Sequence, residues 1–248
     1  MQIRKSNERG HFKNHWLNSY HSFSFSDYYD PKHMSFSLLR VLNDDIVAPK
    51  QGFGMHPHKD MEIITFMLSG SIEHSDSLGN KHVLEAGNIQ LMRAGTGIRH
   101  SEINNGNIPA HLLQIWIFSD ENSLEPGWWE KSFTEKKNTV LVEPINKMTN
   151  ISKLSSTLTG NGLKMAQNGY VLAIHENTEL NIKDFGNSDI YIHMPTGNAT
   201  IRKQDKVWNL ESGDALFERD IGNNLTVEIN ENIKLVKHNV VLVFIFPQ

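Results

Sequence analysis

Cysteine is absent from the 248 residues. That excludes a disulfide framework, a thiolate-ligated zinc or iron–sulfur centre and a cysteine nucleophile. Any metal must be held by nitrogen and oxygen. Long apolar runs are missing as well. The longest, VVLVFIF at Val240–Phe246, is far short of the roughly 18 residues that span a bilayer. The N-terminal stretch MQIRKSNERGHFKNHW is polar and has no apolar segment of the kind a secretory signal carries. The cytoplasm is therefore the expected location, with no membrane partner. Basic blocks are lacking too. Lys and Arg number 24 against 28 Asp and Glu, a formal net charge of −4, which argues against direct nucleic-acid binding. With 38% apolar and 21% charged residues, the chain still has the means to fold around a core.

Helical periodicity is also scarce. Short strand-like runs recur instead, among them Ser37–Leu42, Ile63–Leu68, Leu112–Phe118, Tyr170–Ile174 and Asp189–Met194, separated by Gly, Asn, Asp and Ser. This pattern predicts an all-β sandwich or barrel. The runs also repeat. IITFMLSGS at Ile63–Ser71 matches IYIHMPTGN at Ile190–Asn198, an offset of 190 − 63 = 127. LEAG at Leu84–Gly87 matches LESG at Leu210–Gly213, offset by 126, and LLQIWIF at Leu112–Phe118 matches VVLVFIF, offset by 128. Three ordered matches at nearly one offset predict two similar β domains in tandem, divided as 1–135 and 136–248. The join falls in Ser119–Lys137, a stretch holding Pro126, Gly127, Trp128 and Trp129. It is read as a linker or surface loop that the tryptophans pack down or shape into a short helix. A second irregular stretch, Lys147–Gly169, is expected to loop out.

Three of the thirteen histidines stand in ligand-like spacing. In His56-Pro57-His58, residues i and i+2 of a strand point to one face and can close on one ion. Chance alone gives about 0.7 such pairs, 13 × 13/248, so the dyad is weak by itself. Pro57 places it at a strand edge, bulge or mouth. His100-Ser101-Glu102 has the same geometry and adds an imidazole and a carboxylate, after the turn sequence Ala94-Gly95-Thr96-Gly97. Together His56, His58, His100 and Glu102 offer three nitrogens and one oxygen. That set suits Fe, Mn, Co, Ni, Cu or Zn and leaves positions open on a six-coordinate ion. Glu62, four residues after His58, has matching parity if the strand is regular. It is either a fifth ligand or an acceptor for an imidazole N–H, the second being favoured because Glu102 already supplies a carboxylate. The other ten histidines, 13 − 3, among them His21, His74, His175 and His193, show no ligand spacing.

The stretch Gly52-Phe53-Gly54-Met55-His56-Pro57-His58 followed by Glu62 and Gly70 resembles the first cupin motif; Gly97, His100 and Asn104 resemble the second. Lys50 and Arg93 stand where the general motifs have glycine and proline. These departures, with QGFGMHPHKDMEI, AGTGIRHSE, HSFSFSDYYDP (His21–Pro31) and RVLNDD (Arg40–Asp45), are similar to the pirin family. The resemblance covers the first domain nearly throughout. It implies two tandem cupin barrels of jelly-roll type, a bicupin, with one divalent metal, iron first, on His56, His58, His100 and Glu102. It also implies that Glu62 is not a ligand.

Projected through the repeat, His56 falls on Lys183, His58 on Phe185, His100 on Thr226, Val227 or Glu228, and Glu102 on Glu228, Ile229 or Asn230. A second barrel filled by side chains and free of metal is expected. Wall candidates around the site are Phe53, Met55, Ile64, Phe66, Leu68, Met92, Trp116 and Phe118. The resemblance implies a quercetin 2,3-dioxygenase-like enzyme that opens a flavonol heterocycle with O2 and releases CO. Glu102 is the first candidate for the base that takes the substrate's proton, and Glu62 the reserve. The alternative is an iron-binding, redox-sensing module that acts on a protein partner without turnover. A sugar isomerase is disfavoured, because only Arg93 and Arg99 lie near an otherwise apolar wall. The sequence leaves the oligomeric state open, with a monomer as the simplest expectation.

Overall fold

In the computed structural model of the chain, the strand-forming runs among the described residues pair into four sheets, two of seven strands and two of four. The structure describes residues 1–119, 121–133, 137–145, 154–229 and 240–248. Two compact units emerge. The first comprises Arg9–Thr134 with Met165–Gln167, and the second Met1–Glu8, Glu135–Lys164 and Asn168–Gln248. Strand β1 (Gln2–Arg4) opens the chain. The first unit then holds β2 (Gly10–Lys13), β3 (Leu17–His21), β4 (Leu39–Val47), β5 (Gly52–His58), β6 (Met61–Ser69), β7 (Ser71–Asp76), β8 (Lys81–Glu85), β9 (Asn88–Arg93), β10 (Ile98–Ile103), β11 (Ala110–Phe118) and β12 (Gly127–Ser132). Its large sheet runs β12-β9-β6-β11-β4-β3-β2 and its small sheet β5-β10-β7-β8. Apolar side chains of both sheets share one core: Ile72 and Leu84 of the small sheet cluster with Val47, Met67 and Leu112 of the large one.

The second unit repeats this plan. Its strands are β13 (Thr139–Pro144), β14 (Leu163–Met165), β15 (Tyr170–Ile174), β16 (Thr178–Leu180), β17 (Ser188–Thr196), β18 (Asn198–Lys203), β19 (Lys206–Glu211), β20 (Ala215–Ile221), β21 (Leu225–Ile229) and β22 (Val240–Pro247). The large sheet runs β1-β20-β17-β22-β15-β13-β14 and the small sheet β16-β21-β18-β19. The small sheets match strand for strand, and the large sheets match from β9-β6-β11-β4 to β20-β17-β22-β15; beyond these, the two outer strands follow in opposite chain order, β3-β2 in one and β13-β14 in the other. The repeated turn LEAG/LESG ends in glycines of nearly identical conformation, φ 86° at Gly87 and 84° at Gly213, a left-handed geometry that disfavours any side chain.

Two expectations about the segments between domains need correction. The stretch around Trp128 and Trp129 is neither linker nor helix; it is β12, paired with β9 from Gly127↔Arg93 to Ser132↔Asn88. Position β12 in the first unit corresponds to β1 in the second, where Ile3 pairs Leu216. The first eight residues therefore cluster with the second unit, although they precede the first. Within Lys147–Gly169, residues 147–153 lie outside the described residues, while 163–165 form an edge strand. Among the described residues, no helix is long and apolar enough to cross a membrane.

Candidate metal centre

Strand β5 is the edge of the small sheet, a position that tolerates a proline because one side of its backbone needs no ladder partner. Its neighbour β10 pairs with it as His100↔His56 and Ile98↔His58. Directly opposed residues share a face, so three imidazoles face the interior together. Beyond His100 the register slips, and Glu102 faces Phe53. The backbones approach closely there: a Cβ at Gly52 would run into the carbonyl of Glu102. On the other side of β10, Glu102 opposes His74 and His100 opposes Asp76.

The three rings lie 4.5–4.9 Å apart between centroids. Ligand atoms of His56, His58 and His100 fall within 4.8 Å of one another, as do those of a second, overlapping group, His74, His100 and Glu102. Metal–nitrogen bonds of 2.0–2.2 Å hold ligand atoms no more than about 4.4 Å apart, so a small contraction closes the first group on an ion. The ring nitrogens are prepared for it. His56 Nδ1 is 2.8 Å from the Gly54 carbonyl, a bond in which the ring must donate. This leaves the Nε2 lone pair facing inward. His100 is 1% exposed, and among the described residues neither of its nitrogens has a hydrogen-bond partner, a costly arrangement unless a cation takes one of them. Burial, followed by the neighbouring His100 and His56, lowers the His58 pKa to about 4. Burial, followed by His56 and His74, lowers that of His100 to about 3. Both rings are neutral near pH 7, the form that binds metal.

Glu102 is 2% exposed and held from the facing sheet. Thr65 Oγ1 and Gln90 Nε2 each donate to Oε1 at 2.8 Å, and Gln114 Nε2 donates to Oε2 at 2.6 Å. Oε2, with one donor, keeps acceptor capacity for a cation or a proton. Gln90 is fixed in turn by the Trp128 Nε1–H, 3.0 Å from its Oε1. These donors belong to one transverse row of the large sheet, His21–Asn43–Gln114–Thr65–Gln90 across β3, β4, β11, β6 and β9.

The row overturns the expectation for Glu62. The β5–β6 turn at Lys59–Asp60, with Asp60 at φ 49°, breaks the alternation that linked Glu62 to His58. On β6 the inward residues are Ile63, Thr65 and Met67. Glu62 takes the opposite face, as do Ile64, Phe66 and Leu68. Its carboxylate accepts from Arg93 Nε at 2.8 Å and the Ala166 N–H at 3.1 Å. It bonds no imidazole and does not line the cavity. Of the wall candidates, Phe53 and Trp116 line the cavity. Met92 sits in the core beside it, and Met55 and Phe118 are exposed.

The cavity has a volume of about 440 Å³, with His56, His58, His100 and Glu102 on one side and Phe25, Tyr28 and Trp116 among its walls. Asp45 also lines it; burial raises its pKa to about 7, with smaller upward contributions from Asp44 and Glu102. Sequence spacing missed His74, whose Nε2 lies 3.0 Å from Asp76 Oδ2 while Nδ1 has no partner. The only local sign of it was the His-Ser-Asp alternation at 74–76. In the second unit, the corresponding interior is apolar: Leu180, Ile182, Leu225, Val227 and Ile229 are buried together. The stretch matching the His56/His58 strand is a short 3-10 turn, Ile182–Phe185. Asn230, one of the projected positions, lies outside the described residues.

Known proteins share both pattern and fold. The family model described as Pirin matches residues 2–117. A quercetin 2,3-dioxygenase of Escherichia coli K12 is 53% identical over 141 residues, 56% of this chain and 61% of that protein. The chain thus matches about three fifths of the length of that curated relative. The crystal structure of YhhW from E. coli superposes with a TM-score of 0.83 at 36% identity, covering 99% of this chain and 97% of that one. Bacterial pirin YhhW in complex with nickel(II) gives 0.83 at 37% identity, covering 99% and 98%. Since nearly the whole of a bacterial pirin is covered at better than one identical residue in three, and the family pattern falls on the half that carries the imidazole cluster, this chain belongs to the pirin family.

Proposed function

We propose that the chain is a metal-dependent oxygenase that opens the heterocycle of quercetin-like flavonols with O2 and releases CO. One observation carries this reading: neutral, inward-facing imidazoles converge at the wall of a largely apolar cavity large enough for a flat aromatic ligand. His56, His58, His100 and the Oε2 of Glu102 would hold the ion, iron(II) first. The three-imidazole-plus-carboxylate set fits first-row divalent metals, and the orphaned nitrogens of His100 support it. When bound, such an ion supplies Lewis-acid and redox chemistry to the flavonol 3-oxygen and to O2. The side chains do the rest. Phe25, Tyr28 and Trp116 flank the flat ligand and keep water from it. Glu102 would take the 3-hydroxyl proton at Oε2 by shifting that oxygen off the ion, while Thr65 and Gln90 hold Oε1 in place. Each pair of facing sheets is read as a cupin barrel, with the first, ending near residue 135, active and the second degenerate.

Metal analysis followed by oxygen uptake and CO release with quercetin tests the reading. Turnover that depends on bound metal is expected, and Glu102→Gln lowers kcat at least about 100-fold. Activity that survives this change with metal retained would remove the base role from Glu102. Metal bound with no oxygen consumed would sink the oxygenase and favour the redox-sensing module.

A further inference from the structure

The transverse polar row divides into two halves. Gln114, Thr65 and Gln90 are spent on Glu102. The continuation on β3 and β4 is not. His21 and Asn43 are cross-strand partners, as are Ser19 and Asp45. With Asn43 and Asp45 two residues apart on one strand, the four side chains form a square patch on the cavity face. All four line the cavity, and their exposures are only 1% for Ser19, 5% for His21, 2% for Asn43 and 3% for Asp45. Yet among the described residues His21 Nδ1, Asn43 Oδ1 and Asp45 Oδ1 have no hydrogen-bond partner, while Ser19 is bonded to the Asp45 carboxylate. A buried polar atom left unpaired is destabilising. Three in one patch point to a ligand that supplies the missing partners.

We propose that His21, Asn43 and Asp45 form a specificity subsite that holds two adjacent phenolic hydroxyls, a catechol edge, of a ligand whose other end lies against the imidazole cluster. The amide oxygen accepts, while the Asp45 carboxyl and the ring nitrogen can accept or donate, so phenolic hydroxyls, which do both, match the patch. The surrounding walls are aromatic: His21 packs edge-on against Phe25 at 5.3 Å, and Phe25 likewise against Trp116 at 5.5 Å. A flat neutral phenol loses less hydration on entering such walls than an ammonium ion does. The span also fits. Asn43 stands one strand and His21 two strands from Gln114, or roughly 5 and 10 Å at ordinary strand spacing. A three-ring flavonoid can bridge that gap edge to edge. The inference rests on the flavonol reading for the ligand's other end only.

Quercetin, kaempferol and galangin carry two, one and no hydroxyls on the pendant ring and are otherwise alike. Their Kd values, read by quenching of tryptophan fluorescence in iron(II)-loaded protein under nitrogen, isolate binding from turnover. Quercetin is expected to bind at least tenfold more tightly than galangin, with kaempferol between. In Asn43→Leu and Asp45→Leu that ratio shrinks toward one, because quercetin weakens while galangin holds. Asp45→Asn, which keeps the shape, shrinks it as well and guards against a variant that does not fold. Equal Kd values in the unaltered protein, no binding of any of the three, or a preference that survives these substitutions overturns the subsite. A preserved preference without oxygen consumption leaves the subsite standing while the oxygenase fails; turnover with a ratio of one does the reverse.

Discussion

The two units share most of their strand order and differ in what fills the space between their sheets. In the second, the interior is mostly hydrocarbon: Val227, Leu225 and Leu180 meet Ile192, Val243 and their neighbours. In the first, the corresponding place holds His56, His58, His100 and Glu102, faced by the polar row from Gln90 to His21. Buried apolar surface stabilises at about 25 cal/mol per Å², whereas unpaired buried polar atoms each cost about 1–3 kcal/mol. One copy of the repeat thus keeps unpaired polar groups in its interior at the expense of stability, and the other is filled mostly by apolar side chains, with the buried Thr178 hydroxyl bonded to Ser155. The fold accepts either filling because strand pairing is set by the backbone and the turns. What the interior side chains decide is chemistry and stability.

The sharpest way to break this contrast is to make the first unit resemble the second. His100→Val replaces the ring by an apolar side chain of the kind that lines the second interior, where Leu225 and Val227 stand at the positions of His100 and Glu102. Metal content falls to background, and oxygen uptake with quercetin drops by two orders of magnitude or more. The metal-free variant melts a few degrees higher than the metal-free parent, since two unpartnered ring nitrogens are gone. A variant that keeps its metal would remove His100 from the ligand set; a lower Tm would show that the buried ring is not a liability.

The reverse exchange should give a smaller effect. Val227→His places an imidazole among Leu180, Ile229 and their neighbours, opposite a Thr178 hydroxyl already bonded to Ser155, with neither a second histidine nor a carboxylate row to receive it. A loss of about 2–4 kcal/mol in urea melts is expected, with no gain of bound metal. Tight metal binding by this variant would mean that the second interior is a latent site rather than a packed core.

Acid gives the gentlest test. His58 and His100 titrate near 4 and 3 in the folded chain, against about 6.5 when unfolded. Between those values the unfolded state binds more protons, so stability falls as pH drops below about 6.5 and changes little above it. The metal-free protein should lose a few degrees of Tm between pH 6.5 and 4.5, and His100→Val should lose less. An unchanged slope in that variant would show that other groups govern the acid response.

Much of the centre was legible because its geometry is local. The two-residue period of a strand puts His56 with His58 and His100 with Glu102, and Pro57 marks an edge strand without any knowledge of the partner. The internal repeat was legible for the same reason, since it is a property of the chain order. Glu62 was misplaced because parity holds only while a strand continues, and the turn at Lys59–Asp60 resets it. His74 and His21 looked solitary because their neighbours in space, Glu102 on β10 and Asn43 on β4, are 28 and 22 residues away in the sequence, 102 − 74 and 43 − 21.

By itself, then, the sequence determined the all-β class, the tandem repeat, the three imidazoles that face one another, and the exclusion of thiolate from the chain. Only the tertiary structure decided that Gln114, Thr65 and Gln90 orient Glu102, that Glu62 turns to Arg93, that β1 completes a sheet of the second unit, and that His21, Asn43 and Asp45 close the far side of the cavity. The physical reason is register. Alternation along one strand is written in consecutive residues, whereas the alignment of five strands into a row depends on pairings between segments far apart in the chain.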